Sequence, residues 1–327
     1  VTTSPDQPAS AAADAIAAVR RGDIRGSARL ISRIEADDES VRPLLRTLYL
    51  EGGATPVLGV TGPPGAGKST LVDQVIARYR ARALKVAVLA IDPASPFSGG
   101  AILGDRVRMG RHNTDAGVFI RSMSARGVLG GLARATGDCL IVLDAMGFDV
   151  ILVETVGVGQ NEIDIMRHAH TVLIVQTPAA GDAVQAVKAG ILEIGDVFAV
   201  NKADTPGADR AAAALREAVE FRYDAHDVTA WHPPVLKIQA STGAGIDELL
   251  DAVDRHRSHS AAYPDQLRAR LVKRARLQLA ELVAATLRRR YILENDHDAK
   301  FERVLDDVVE RRCDPYAAAE RLLDKSP

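Results

Sequence analysis

Gly62-Pro-Pro-Gly-Ala-Gly-Lys-Ser69 decides how this chain is read. It fits the pattern G-x-x-x-x-G-K-[ST], with the apolar run Val57–Val60 before it and a helix-forming run from Thr70 to Arg80 after it. Strand, glycine-rich turn and helix in that order make a phosphate-binding loop. Gly62, Gly65 and Gly67 let the backbone curl with its N–H groups inward, Pro63, Pro64 and Ala66 complete the turn, and the helix N-terminus adds a field that favours an anion. Lys68 supplies a mobile positive charge for β and γ phosphates, and Ser69 offers its hydroxyl to Mg²⁺. Thr70, the next helical residue, joins the nucleotide-contacting set but not the metal ligands. A nucleoside triphosphate is the expected ligand.

Outward from this loop the same alternation recurs. Apolar runs at Val86–Ile91, Val118–Ile120, Val150–Val153, Val172–Val175, Val197–Val200 and Val235–Ile238 are separated by helical stretches. Runs that are continuous and not alternating fit strands buried on both faces, so the middle of the chain is expected to be α/β with a mainly parallel sheet. Its site should lie at the carboxyl ends of the strands. Two carboxylates stand there, Asp92 after the second run and Glu154 after the fourth, suited to contact Mg²⁺ or to orient its water shell. In Glu154-Thr-Val-Gly157 the glycine can bring its N–H to a γ-phosphate without side-chain obstruction. Asp92-Pro-Ala-Ser-Pro-Phe-Ser-Gly-Gly100, continuing to Leu103-Gly-Asp-Arg106, reads as a site loop that directs Asp105 to Mg²⁺ and Arg106 or Arg108 to phosphate or a facing carboxylate. Order in sequence leaves open which oxygen touches the metal.

Asn201-Lys202-Ala203-Asp204 selects the base. The Asp204 carboxylate can accept from guanine's ring N–H and exocyclic amine, a pairing adenine cannot reproduce without a clash or an unmet donor. Asn201 and Lys202 shape and cover the base site, and Gln239-Ala240-Ser241 forms a second loop whose Ala240 N–H is the expected donor to the guanine carbonyl oxygen. GTP and GDP are therefore the expected substrate and product.

Composition bounds the remainder. With 41 Lys and Arg against 43 Asp and Glu, no global field recruits nucleic acid. Two cysteines make no disulfide framework, and Cys139, in an apolar stretch, reads as a small buried hydrophobe. No run approaches the ~20 apolar residues of a membrane span, and Val1–Ser10 lacks the order of a signal peptide, so no membrane role and a cytoplasmic location are expected. Residues 1–10 read as a disordered tail and 11–52 as a helical region with helices Ala11–Arg20, Ile24–Ala36 and Glu39–Leu50. The phosphate-loop domain is expected over 53–261. Over 262–327, Leu267, Leu271, Ala275, Leu279, Leu282 or Val283, and Leu287 recur at three or four, with eight basic and two acidic residues from Asp265 to Arg290. Phe301–Arg311 and a helix with Asp314 as N-cap and Pro315 behind it follow. A tail with so little core of its own is expected to pack on a second copy, making a homodimer; folding back on its own domain and nucleic-acid binding by the basic face are the alternatives.

With these residues in place, the chain resembles the MeaB/ArgK family of P-loop GTPases, relatives of the human methylmalonic aciduria type A protein and of the metal-insertion GTPases of the SIMIBI class. The likeness covers nearly all of the chain after the first ten residues. It is most specific over 59–70, over 92–109, and in Val153-Glu-Thr-Val-Gly-Val-Gly-Gln160. It implies a GTP-hydrolysing metallochaperone of low intrinsic turnover that guards adenosylcobalamin-dependent methylmalonyl-CoA mutase. It assigns Lys68 and Ser69 to phosphate and Mg²⁺, Asp92, Asp105 and Glu154 to the magnesium network, and Asn201, Lys202 and Asp204 to the base. Lys68, Asp92, Asp105 and Glu154 form the catalytic set, with no residue named as activator of the attacking water. The region from Gln176 to Gly190, including Asp182 and Lys188, is implied as a further switch that communicates with the mutase, and no cobalamin site falls on this chain. One departure is that Gln239-Ala240 stands where the family has Ser-Ala. The competing readings are a binding module that does not turn over nucleotide, a metal-insertion GTPase for another enzyme, and a transport-linked kinase.

Overall fold

The computed structural model describes residues 7–53, 55–92, 110–112, 114–124, 131–155, 168–178, 191–221, 227, 229–288 and 299–323. Seven strands, β1 (Val57–Thr61), β2 (Val86–Asp92), β3 (Val118–Ser124), β4 (Val150–Thr155), β5 (Thr171–Gln176), β6 (Val197–Val200) and β7 (Val235–Lys237), form one sheet in the order β3-β2-β4-β1-β5-β6-β7. Every pairing is parallel. β1, β4, β5 and β6 are buried at every position, which is why they read as unbroken apolar runs.

β3 extends to Ser124, four residues past the end of its apolar run. It is an edge strand with a charge on its core-facing side: Phe119 and Met123 enter the core, and Arg121, between them on the same face, reaches Glu35 and the Ser32 hydroxyl, the latter at 3.0 Å. Arg121, Ser122 and Ser124 interrupt the apolar run and hid half of the strand from an apolar-run reading.

Helices cover both faces. α4 (Lys68–Ala81) and α7 (Ile246–Ala262) share one core with β1, β2, β4, β5 and β6, and α5 (Gly131–Ala145) and α6 (Ala208–Glu220) pack into the core on the other face. Cys139 lies in that second core, where burial pushes its thiol well above the ordinary value. The N-terminal helices α1 (Gln7–Arg20), α2 (Ile24–Glu35) and α3 (Arg42–Glu51) join the same core through Leu30, Ile31 and Ile34 of α2 and Leu44, Leu45 and Leu48 of α3. α1 begins at Gln7, inside the stretch read as a tail. Asp144 of α5 accepts from the Thr55 N–H at 2.9 Å and also from that of Gly53, and so holds the chain where it turns into β1.

The chain leaves β1 through α4, passes over β4 to reach β2, and later returns to the other side of β1 as β5. The loops that leave the carboxyl ends therefore diverge about β1, which opens a crevice beside the phosphate loop.

Val1–Pro264 and Asp265–Pro327 are separate compact units. In the second, α8 (Pro264–Arg288) has no buried residue, and its stripe is exposed, Leu279 at 62% and Val283 at 57%. α9 (Ala299–Val309) and α10 (Pro315–Leu323) are joined by Asp307, which takes Arg312 at 2.9 Å and Arg321 at 3.2 Å. Asp314 caps α10, its Oδ1 accepting from the N–H of Tyr316 at 2.9 Å and of Ala317 at 3.1 Å, as the Asp-Pro order predicts. Among the described residues no helix is long and apolar enough to cross a membrane.

Candidate functional site

The loop after β1 takes the backbone form its glycines allow. Gly62 has φ +146°, and a Cβ there would meet the Val175 carbonyl oxygen at 2.0 Å; Gly67 has φ +86°, with Asn201 Nδ2 2.4 Å from where a Cβ would lie. Both close approaches are needed to lay the loop across the ends of β5 and β6. Pro63 is half-buried, Pro64 and Gly65 are exposed, and Ala66 is buried. Lys68 is buried, and its Nζ donates to Gly62 O at 2.7 Å and Pro63 O at 2.9 Å, which holds the ammonium over the mouth of the loop. Thr70 is exposed on the first turn of α4.

Register brings a carboxylate to this loop. β4 pairs Glu154 with Val60 of β1 on one side and Ala90 of β2 on the other. The Ser69 hydroxyl donates to Glu154 Oε1 at 2.6 Å, with both residues buried. One residue further, Thr155 Oγ1 donates to Thr61 Oγ1 at 2.8 Å. Three hydroxyls, a carboxylate and an ammonium thus converge where β1 and β4 end.

The second cluster lies at the ends of β6 and β7. Asn201 is 3% exposed; its Nδ2 donates to Ala66 O at 2.8 Å, its Oδ1 accepts from the Ala240 N–H at 2.9 Å, and its backbone N–H donates to Gln176 O at 2.8 Å. The Ala240 amide, expected to point at a base, is thus engaged by the Asn201 side chain. Lys202 adopts φ +58° and is exposed, and Ala203 N–H donates to Ile238 O at 3.0 Å, which turns Asp204 outward into solvent. Gln239 is half-buried and Ser241 exposed, on a turn closed by Gly243 N–H to Gln239 O at 2.9 Å. Gln176, at the end of β5, is 4% exposed, and its Oε1 accepts no hydrogen bond from the described residues.

Asp92 ends β2 with its backbone paired to Ser124, and its side chain lies outside the described residues, as do Asp105, Gly157, Asp182 and Lys188. The sequence profile of the family described as methylmalonyl-CoA mutase-associated GTPase MeaB matches residues 27–296. The chain belongs to the MeaB family. It is a P-loop GTPase built on a parallel-sheet core. A GTPase of Pyrococcus abyssi is 45% identical over 93% of this chain and 94% of its own length. The mouse mitochondrial methylmalonic aciduria type A homolog is 36% identical over 60% of this chain and 48% of its own. The crystal structure of a LAO/AO transport system kinase superposes with a TM-score of 0.70 at 25% identity, covering 98% of each chain.

In this MeaB-family GTPase, α4 has a role that sequence reading missed. Asp73 holds Arg111, Arg78 donates to Gly243 O at 3.1 Å in the turn after β7, and Arg80 grips Asp115 at 2.8 and 2.9 Å. The sequence marks Thr70–Arg80 only as a helix-forming run. Their partners lie 38, 165 and 35 residues away, so no local signal pairs them.

Proposed function

We propose that this GTPase is a nucleotide-driven chaperone of an adenosylcobalamin-dependent methylmalonyl-CoA mutase, coupling GTP turnover to loading and protection of the mutase's cofactor. Membership of a family whose description names that mutase, across residues 27–296, carries the reading. The site supports its nucleotide half. Lys68 is the group for the β and γ phosphates, together with the N–H groups of 62–70 and Gly157. Ser69 Oγ and Glu154 Oε1, 2.6 Å apart, are two hard oxygens of the kind Mg²⁺ takes, with Asp92 and Asp105 completing the network. Bound there, Mg²⁺ would neutralise charge on the phosphate oxygens. Asp204 reads guanine beside Asn201, Lys202, Gln239 and Ser241, and the guanine carbonyl oxygen would share the Ala240 N–H with Asn201. Gln176, Asp182 and Lys188 form the route toward the mutase.

The working unit in this reading is a cytoplasmic homodimer of low intrinsic turnover. The exposed Leu271, Leu279 and Leu287 of α8 support a second copy as their cover. Mixing the purified full-length protein with the mutase, followed by size-exclusion chromatography and a phosphate-release assay, tests the proposal. The expected result is a complex and altered GTP turnover. No complex and no change with GTP, GDP or a non-hydrolysable analogue would overturn it.

A further inference from the structure

We propose that Arg78 is a positioning residue for base selection: from α4 it holds the turn 239–245, and so sets where the Ala240 N–H stands against a guanine ring. This deepens the proposed function and rests on reading Asp204 and that turn as the guanine site. The helix that carries Lys68 and Ser69 at its start thereby also reaches the other end of the nucleotide. Arg78 lies ten residues past Lys68, about 15 Å along it.

The guanidinium is braced on its own helix and directed at one backbone carbonyl. NH1 donates to Gln74 Oε1, one helical turn back, at 2.7 Å, and NH2 donates to Gly243 O at 3.1 Å. Nε lies 3.6 Å from Asp247 Oδ1 in the first turn of α7, but the Asp247 side chain is 69% exposed, so this pair adds little. The shorter bonds go to neutral oxygens. Gly243 is buried, whereas Ser241, Thr242 and Ala244 around it are exposed. Its φ is +82°, and a Cβ there would stand 2.7 Å from Arg78 NH2, so the guanidinium occupies the space that a side chain would need.

A grip on Gly243 is a grip on Ala240, because the turn is closed on itself. Gln239 N–H donates to Ala244 O at 2.9 Å, and Gln239 O accepts from the N–H of Gly243 at 2.9 Å and of Thr242 at 3.2 Å. Holding α4 against α7 does not need Arg78, since Val72, Val75 and Ile76 already share a buried core with Ile246, Leu249 and Val253. That core leaves the exposed tip at 241–242 unheld, and Arg78 fixes the turn behind it. Adenine presents an amine where guanine presents its carbonyl oxygen. A displaced Ala240 N–H therefore costs guanine binding and leaves adenine binding as it was.

Isothermal titration of the full chain in Mg²⁺ with GDP, ADP and inorganic pyrophosphate tests this in wild type, Arg78→Ala, Arg78→Lys and Arg82→Ala. In Arg78→Ala the GDP Kd should rise about five- to tenfold, the cost of reordering a freed turn on binding, while the ADP and pyrophosphate Kd values stay within about twofold. Arg78→Lys keeps the charge but not the fork and should fall between wild type and Arg78→Ala; it carries the test if the alanine variant does not fold. Arg82, one helical turn beyond Arg78, pairs with Asp254 of α7 at 3.5 Å, and Arg82→Ala should bind all three ligands as wild type does. An unchanged GDP Kd in Arg78→Ala would overturn the inference and leave the guanine reading standing. So would an equal rise for all three ligands, or the same selective loss in Arg82→Ala, since Arg78 would then be only a support of the domain. A wild type with equal affinity for GDP and ADP would overturn the guanine reading and this inference with it.

Discussion

Asn201 joins three loops through one buried residue, because its two amide atoms and its backbone N–H each have a different partner: Ala66, Ala240 and Gln176. Its place in an N-K-x-D run puts it among the proposed base-site residues, and burial makes it a tie as well. Asn201→Ala would leave the Ala66 carbonyl and the Ala240 N–H without their partner, and at ~1–3 kcal/mol for each buried polar group the unfolding free energy should fall by about 2–6 kcal/mol. Urea unfolding of the nucleotide-free protein measures this, and a loss below about 1 kcal/mol would mean that water replaces the amide. Asp204 is the opposite case. It is exposed, so its exchange for Asn should leave stability within about 0.5 kcal/mol. An amide can donate where xanthine presents an oxygen, so Asp204→Asn should lose GTP and gain XTP in competition binding. An unaltered preference for GTP would take Asp204 out of the base site.

Among the elements, α5 carries a charge that its packing resists. Burial raises the Asp138 carboxyl from 3.8 to about 6, against the opposing pull of Arg134 and Arg42, with Asp37 adding to the rise. The folded chain then holds this proton more tightly than the unfolded one. The stabilisation is complete below the unfolded value of 3.8 and is lost as pH rises through about 6. The difference corresponds to about 3 kcal/mol at most. Asp138→Asn should therefore be more stable than wild type at pH 7, by about 1–3 kcal/mol, and the advantage should shrink toward pH 4. Denaturant titrations at the two pH values test the sign, and an equal difference at both would show that Asp138 does not titrate in this window. Elements also differ in how far they could be read. The buried strands β1, β4, β5 and β6 were plain as apolar runs, whereas β3 was legible only to Ile120, since an edge strand mixes Arg121 and Ser122 into its pattern. α4 was legible as a helix, but the use of its polar face was not.

Across the whole molecule, every described site residue falls within Val1–Pro264, while the unit Asp265–Pro327 contributes an exposed apolar stripe. A chain ending at Pro264 should fold, keep its GDP affinity and run as a monomer, and the full-length chain should run as a dimer. Light scattering with a GDP titration decides this, and a truncated chain that stays dimeric would move the interface to the GTPase core. The sequence by itself determined what is local. The phosphate loop is a contiguous run whose glycines and lysine act together, and strands buried on both faces must be continuously apolar, so loop, strands, helices and the guanine motif could all be read in order. Tertiary structure alone decided which of these meet. The order β3-β2-β4-β1-β5-β6-β7 sets Glu154 beside Ser69, 85 residues away, and Asn201 beside Ala66, 135 away. Such pairings depend on which strands become neighbours as the two faces of the sheet fill with helices, and the spacing of residues along one segment does not record that choice.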